Sequence, residues 1–449
     1  MGGPFSGTRT FAGLALKSVG PQDAYVVKLS PSGQLLKSLI VSSANPLGVE
    51  NIFDLVVDKA GNTYINGQYS HELMLGSFKL TPRGPSDHFL AKLDTNLTVV
   101  WAKSFGGIGK DGGNEIALAE DSTLILSAMS DGYDFPGNTQ NLAGTAQDGY
   151  LLKVSASDGA VLMVKQFGGP GDQQVRAIAA DIKGNMIVGL EYNGTATFES
   201  TQVVAAPGSG SFRANKDGAL FYLDASGKLI WHKQVSTANG LDNFRAAGFD
   251  SHGDIYASGV HATGARFIGG LVGAIPQVEL SSVATDKSYD QFVVKYAQSG
   301  ALQWYRRFAR SAPMASQSGG ELEVSEDDVV YISGGFRSRL SLADQNNQLV
   351  RDVFALDHTR DSNAVVALNA DGSFREGLYY RGSVTSSDDS VGNSASAVLD
   401  SRKIGDQTYL AVGAVLEATG DLKIVVEQGE SSFPTSTTTR EFSAALFIK

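Results

Sequence analysis

The sequence predicts an all-β chain, a β-propeller of four-stranded antiparallel blades. Six blades are favoured and seven possible, with the ring closed by strands from both termini. Three observations carry this expectation. A hairpin pattern, "DAYVVKLSPSGQLLKSLIV" at Asp23, returns as "DHFLAKLDTNLTVVWAKSF" at Asp87 and keeps returning to the end of the chain. Each copy is followed by a second pair of alternating runs, such as "IFDLVVDKAGNTYINGQYS" and "VRAIAADIKGNMIVGLEYN". Finally, 52 glycines against 18% charged residues describe a turn-rich chain rather than one of long solvent-facing helices.

Taken in order, the elements support one domain over residues 1–449, with full repeats starting near 23, 87, 148, 217, 290 and 362 and partial repeats at 1–22 and 441–449. Within a repeat, an apolar alternating run, a turn of Ser, Asp, Asn and Gly, and a second run read as a β-hairpin. Two hairpins per period make a blade, which buries its faces only against neighbouring blades. The Ala- and Gly-rich strand is assigned innermost, where blades converge, and the strand carrying Trp101, Trp231 or Trp304 outermost. Strands from both ends sharing one blade would remove exposed sheet edges.

Short turns ("DKAGN", "DIKGN", "SPSGQ", "DASGK") mark one face of the ring as smooth. The long links emerge on the other: Gly106 to Gly113, Asn138 to Gln147, Thr201 to Lys216, Phe267 to Tyr289, Asp344 to Asp361 and Gly429 to Arg440. Loops on a rigid scaffold are where binding resides, so that face is the expected working surface. Its candidate binding residues are Lys110, Tyr133, Phe135, Tyr192, Phe212 and Tyr289.

A formal charge of −11 argues against a broad footprint for nucleic acid. With no cysteine, disulfide and thiolate chemistry are excluded. No apolar run is long enough for a transmembrane helix, and "MGGPFSGTRTF" lacks the regions of a signal peptide. The recurrent Asp23, Asp87, Asp148, Asp217 and Asp290 read as turn caps that accept backbone N–H groups. Lys28, Lys92, Lys153 and Lys295 read as stems packed between blades. The "DxxGN" turns lack the ligand density of a calcium loop, and the histidines show no metal-binding spacing, so neither metal nor cofactor is expected. If the chain is an enzyme, its carboxylates are Asp111, Asp172 and Asp242, each preceding an inner strand.

The stretches "DHFLAKLDTNLTVVWAKSFGG", "VKQFGGPGDQQVRAIAADIKGNMIVG" and "GPFSGTRTFAGLALKSVGPQDAYVVKL" resemble the bacterial SBBP-type β-propeller repeat. The inner pair of strands is distantly similar to NHL-type repeats. The resemblance covers essentially the whole chain and implies an extracellular propeller with a role in binding. The expected function is a non-enzymatic binding or structural module of a bacterial surface or extracellular assembly, recognising protein or glycan. The alternatives are a carbohydrate hydrolase or lyase with carboxylates at the channel mouth, and a structural component of a virion or secretion machine.

Overall fold

Alternating side chains and glycine-closed turns commit the chain to antiparallel strands, and a computed structural model contains no helix among its described residues. Those residues are 1–11, 13–30, 34–119, 122–131, 147–206, 216–237, 240–262, 266–268, 278–279, 290–310, 320–337, 339–344, 348–355, 361–382, 398–404, 407–416, 422–426, 429–433 and 441–448. They fall into two compact units: Met1–Ala205 with Tyr222–Ile230, and Ala206–Phe221 with Trp231–Lys449.

The first unit opens with a sheet of Gly2–Phe5, Asp23–Leu29 and Leu35–Val41 in sequence order. Next come Glu50–Val57, Thr63–Tyr69, Asp87–Leu93 and Val99–Phe105, then Asp111–Ala119, Thr123–Ser130, Asp148–Ser155 and Val161–Phe167, each a four-stranded antiparallel meander. Gln173–Ala180 pairs with Met186–Tyr192 in the same way. Inner strands of adjacent sheets are joined by polar side chains at matching bulges. Asp54 Oδ2 accepts the Ile116 N–H at 3.0 Å, and Glu115 Oε2 accepts the Ile178 N–H at 2.8 Å. The bulge between Gly113 and Ile116 leaves Glu115 out of its own ladder, and Asp54 stands at the edge of the bulge that follows Ile52, paired with Asn66.

The second unit repeats the meander in Asn243–Phe249, Ile255–His261, Asp290–Tyr296 and Leu302–Arg310, and again in Leu322–Val324, Val330–Arg337, Asp361–Leu368 and Phe374–Gly382. A sheet of Val398–Ile404, Gln407–Leu416 and Glu441–Ile448 ends it. Four strands per sheet, in chain order from inner to outer, is the strand order of a propeller blade.

Lys28, Lys92, Trp231 and Trp304 serve one purpose, which is to hold the turn of the following sheet. Lys28 Nζ donates to Thr95 O at 3.0 Å and Lys92 Nζ to Ala156 O at 3.2 Å. In the second unit, Trp231 Nε1 donates to Gln298 O and Trp304 Nε1 to Ala370 O, both at 2.9 Å. The indole then lies against a turn glycine. A Cβ on Gly372, whose φ is +76°, would stand 2.7 Å from Trp304 Cδ2. Both the left-handed backbone and the close approach require glycine there.

Several links expected as long loops prove to contain hairpins that cover a neighbouring sheet. Arg266–Ile268 pairs with residues 234–236 and continues into Val278–Glu279. Arg339–Ala343 pairs with residues 307–310, and Leu422–Val426 with residues 378–382. The link from Tyr192 likewise carries Thr195–Phe198 and Thr201–Val204. An outer strand presents a row of unpaired N–H and C=O groups, and the three hairpins of the second unit pair with such strands, whereas Thr195–Phe198 and Thr201–Val204 form a separate two-stranded sheet.

Candidate functional site

The chain leaves each outer strand, crosses to the next inner strand, and exposes a loop tip as it does so. In the first unit these crossings span residues 42–49, 106–110 and 168–172. Each is fixed at its far end by one backbone hydrogen bond: Glu50 N to Gln22 O, Asp111 N to Ser86 O and Gln173 N to Gln147 O, at 2.8 to 2.9 Å. In the second unit Asp242 N to Lys216 O does the same at 2.8 Å.

Acids hold these crossings and the links beside them. Asp87 accepts from Arg83 N at 3.2 Å and from the Ser104 hydroxyl at 3.2 Å. Asp111 Oδ2 accepts from Gly107 N at 2.6 Å. Gly106 lies between the two carboxylates, so that a Cβ there would meet Asp87 Oδ1 at 2.7 Å and Asp111 Oδ2 at 2.8 Å. Asp23 takes the N–H groups of Val19 and Gly20, and Glu50 takes that of Ser43 at 3.1 Å. In the second unit Asp217 accepts from Ala206 N and the Ser236 hydroxyl, both at 2.6 Å, while Asp242 accepts from the Thr237 hydroxyl at 2.7 Å and Ala262 N at 2.8 Å.

Burial pushes Asp148 and Asp217 up to about 6 and Asp242 up to about 7, with the charge of Asp217 adding to the rise at Asp242. Since the folded pKa of Asp242 lies above its unfolded value, its contribution to stability is complete below about 3.8 and is lost as pH rises through about 7. The wild-type chain should therefore gain about 1 kcal/mol relative to Asp242→Asn when pH falls from about 8 to about 6.5. Urea midpoints of the two proteins at those pH values measure the difference. A constant difference would show that Asp242 is already ionised in the fold.

The carboxylates expected for catalysis thus hold their own loops. Asp111 and Asp242 are buried, and Asp172 accepts from Gln147 N at 3.0 Å. Asp172 also stands one residue before the position matching Asp111; Gln173 fills that position, as Glu50 does in the first crossing. Asp242 belongs to the other unit.

Of the binding candidates, Lys110 is exposed on a crossing, where its carbonyl accepts from Asp131 N at 3.2 Å. Tyr192 is buried at the end of Met186–Tyr192 and presents no ring to a ligand, because this second strand is covered on both faces. Tyr133, Phe135, Phe212 and Tyr289 lie outside the described residues.

What the sequence reading passed over are the tips themselves. Leu47 is 69% exposed and Ile108 72% exposed, at matching positions one residue before Gly48 and Gly109. Pro170 occupies the same place before Gly171. Val19 and Val49 are exposed beside Leu47. These glycines bring the backbones together: a Cβ on Gly20 would meet Gly48 O, and one on Gly84 would meet Gly109 O. The tips are thus rigidly based, apolar, and flanked by Lys110 and the Asp131–Gln147 side-chain pair at 3.2 Å.

One further grouping has metal-ligating atoms. Asp250, His252 and Asp328 place ligand atoms within 4.8 Å of one another. There the Lys295 ammonium lies 2.9 Å from Asp250 Oδ2, and Ser251 donates to both Asp328 oxygens, so protein donors already serve these carboxylates.

No family model matches the chain, and no curated protein matches it. Among solved structures, the Dos1 propeller is 12% identical over 98% of this chain and 82% of its own, with a TM-score of 0.42. Dihydro-heme d1 dehydrogenase NirN in complex with DHE is 13% identical over 94% of this chain and 72% of its own, with a TM-score of 0.40. AztD from Citrobacter koseri is 8% identical over 95% of each chain, with a TM-score of 0.32. The architecture given above stands on strand order alone.

Proposed function

We propose that the chain is a non-enzymatic recognition module, a propeller of the SBBP-like kind whose crossing loops engage a protein or glycan partner at a bacterial surface or in an extracellular assembly. The observation that carries this reading is the row of exposed apolar tips, Leu47, Ile108 and Pro170, repeated sheet after sheet on crossings held by buried acids. Exposed apolar groups rimmed by polar ones mark interaction surfaces, and preorganised loops lose little entropy on binding. Contact through several weak tips gives affinity without a large basic or acidic field. The repeat resemblance supports the extracellular setting.

A protein and glycan array probed with the wild-type chain and with Leu47→Asp/Ile108→Asp tests the reading. Wild-type signals should fall at least about tenfold in the variant while its melting temperature stays unchanged, since both side chains are exposed. Equal signals from both proteins would remove this face as the binding surface.

A further inference from the structure

The three crossings of the first unit differ in charge. The first, residues 42–49, and the link 18–22 contain no charged residue, and Val19, Pro21, Pro46, Leu47 and Val49 are exposed there. A parallel bridge between Gln22 and Val49 sets that link beside the crossing. In the second crossing, residues 106–110, and the link 81–86, the charged residues are Lys110 and Arg83, both exposed and both basic. Ser86 bridges to Lys110 in the same way. Acid enters at the third, with Asp172 on the crossing and the exposed Asp131 bonded through its N–H to Lys110 O. Of the acids that flank the first two crossings, Asp23, Glu50, Asp87 and Asp111 are buried.

The first crossing also uses its own donors. Leu47 N donates to Asn45 Oδ1, Gly48 N to Asn45 O, Val49 N to the Ser70 hydroxyl and Glu50 N to Gln22 O, each at 2.9 Å.

We infer that the partner of these tips is a protein rather than a glycan, with an apolar patch that meets the first crossing and carboxylates that meet Arg83 and Lys110 at the second. This rests on the reading of the tips as the contact surface. Sugar hydroxyls laid on the first crossing would give up water and meet no N–H donor from Leu47 to Glu50, and unpaired polar groups are costly to cover. A lipid bilayer presents one sign of charge throughout, whereas these crossings run from uncharged to basic to acidic. The chain's net charge of −11 also opposes an anionic surface. A protein can hold apolar and acidic groups in separate patches, and charge pairs at the rim of an apolar contact fix its register.

Selection from a random peptide display library on the immobilised full chain tests this. Peptides recovered on the wild type should combine aliphatic or aromatic residues with carboxylates, be poor in basic residues, and be absent after selection on Leu47→Asp/Ile108→Asp. The most enriched peptide should bind Lys110→Glu about three- to tenfold more weakly than the wild type. Peptides that depend on the tips but carry no acidic bias, or that bind Lys110→Glu as tightly as the wild type, would leave the tips as the contact surface and overturn this partner chemistry. Recovery unchanged on the tip variant would remove the tips themselves, and the proposed contact surface with them. No enrichment on the wild type would overturn the inference. So would tip-dependent binding to oligosaccharides, or to vesicles of phosphatidylcholine and phosphatidylglycerol, in place of peptides.

Discussion

Trp304→Ala should destabilise the second unit by about 3 to 5 kcal/mol, the usual cost of emptying a buried tryptophan site. The indole is buried, donates to Ala370 O at 2.9 Å, and lies against Gly372 with Tyr256 edge-on at 5.8 Å. The Arg306 guanidinium covers the ring at 5.5 Å. Truncation removes this packing together, because the glycine turn has no side chain with which to fill the space. Urea denaturation followed by circular dichroism measures it, with Ile230→Ala as a solvent-facing comparison expected to change stability by less than about 0.5 kcal/mol. A loss below about 1 kcal/mol in Trp304→Ala would show that the tryptophan does not hold the turn of the following sheet.

Arg307→Met should cost a similar amount for a different reason. Arg307 Nη1 lies 2.9 Å from Asp290 Oδ2, and both side chains are almost wholly buried. Removing the guanidinium leaves a carboxylate without its counter-charge in a low-dielectric interior, where breaking one partner of a buried pair typically costs about 3 to 5 kcal/mol. Replacing both, as Asp290→Leu/Arg307→Met, should restore most of the loss, since a pair of apolar side chains needs no solvation. If the double variant is as unstable as the single one, the arginine acts through its packing beside Tyr305 and His261 rather than through charge.

How much of this was legible depended on whether a residue's role is local. The recurrent Asp at the head of each hairpin needs only its own turn and strand start, so the spacing alone identified Asp23 and Asp87 as backbone acceptors. Lys28 is legible as a stem packed between repeats and Trp304 as a mark of the outermost strand, but the carbonyls they hold, Thr95 O and Ala370 O, belong to the next repeat and have no mark in the letters. The pairing of Arg339–Ala343 with residues 307–310 was missed for the same reason: which edge a hairpin covers is decided by neighbours in space. Tyr192 was misplaced because alternation distinguishes two faces only where one is wet, and every residue of Met186–Tyr192 is buried. Gln173 breaks the acid series without losing the closure, because the bond to Gln147 O comes from its backbone N–H and needs no particular side chain. Leu47 and Ile108 drew no notice, since single apolar residues in glycine-rich loops are ordinary until their equivalence in the fold is seen.

The tips and the acids of the crossings make opposite demands on a partner, and one titration separates them. Calorimetric titration of the strongest partner from the array would be run against the wild type, Leu47→Asp/Ile108→Asp and Asp111→Asn/Asp172→Asn, each confirmed folded by circular dichroism. If recognition lies in the crossing tips, the tip variant loses at least about tenfold in affinity and the acid variant stays within about twofold of wild type. The reverse order, with affinity or turnover lost only in the acid variant, would contradict recognition through the tips and locate the chemistry in the carboxylates.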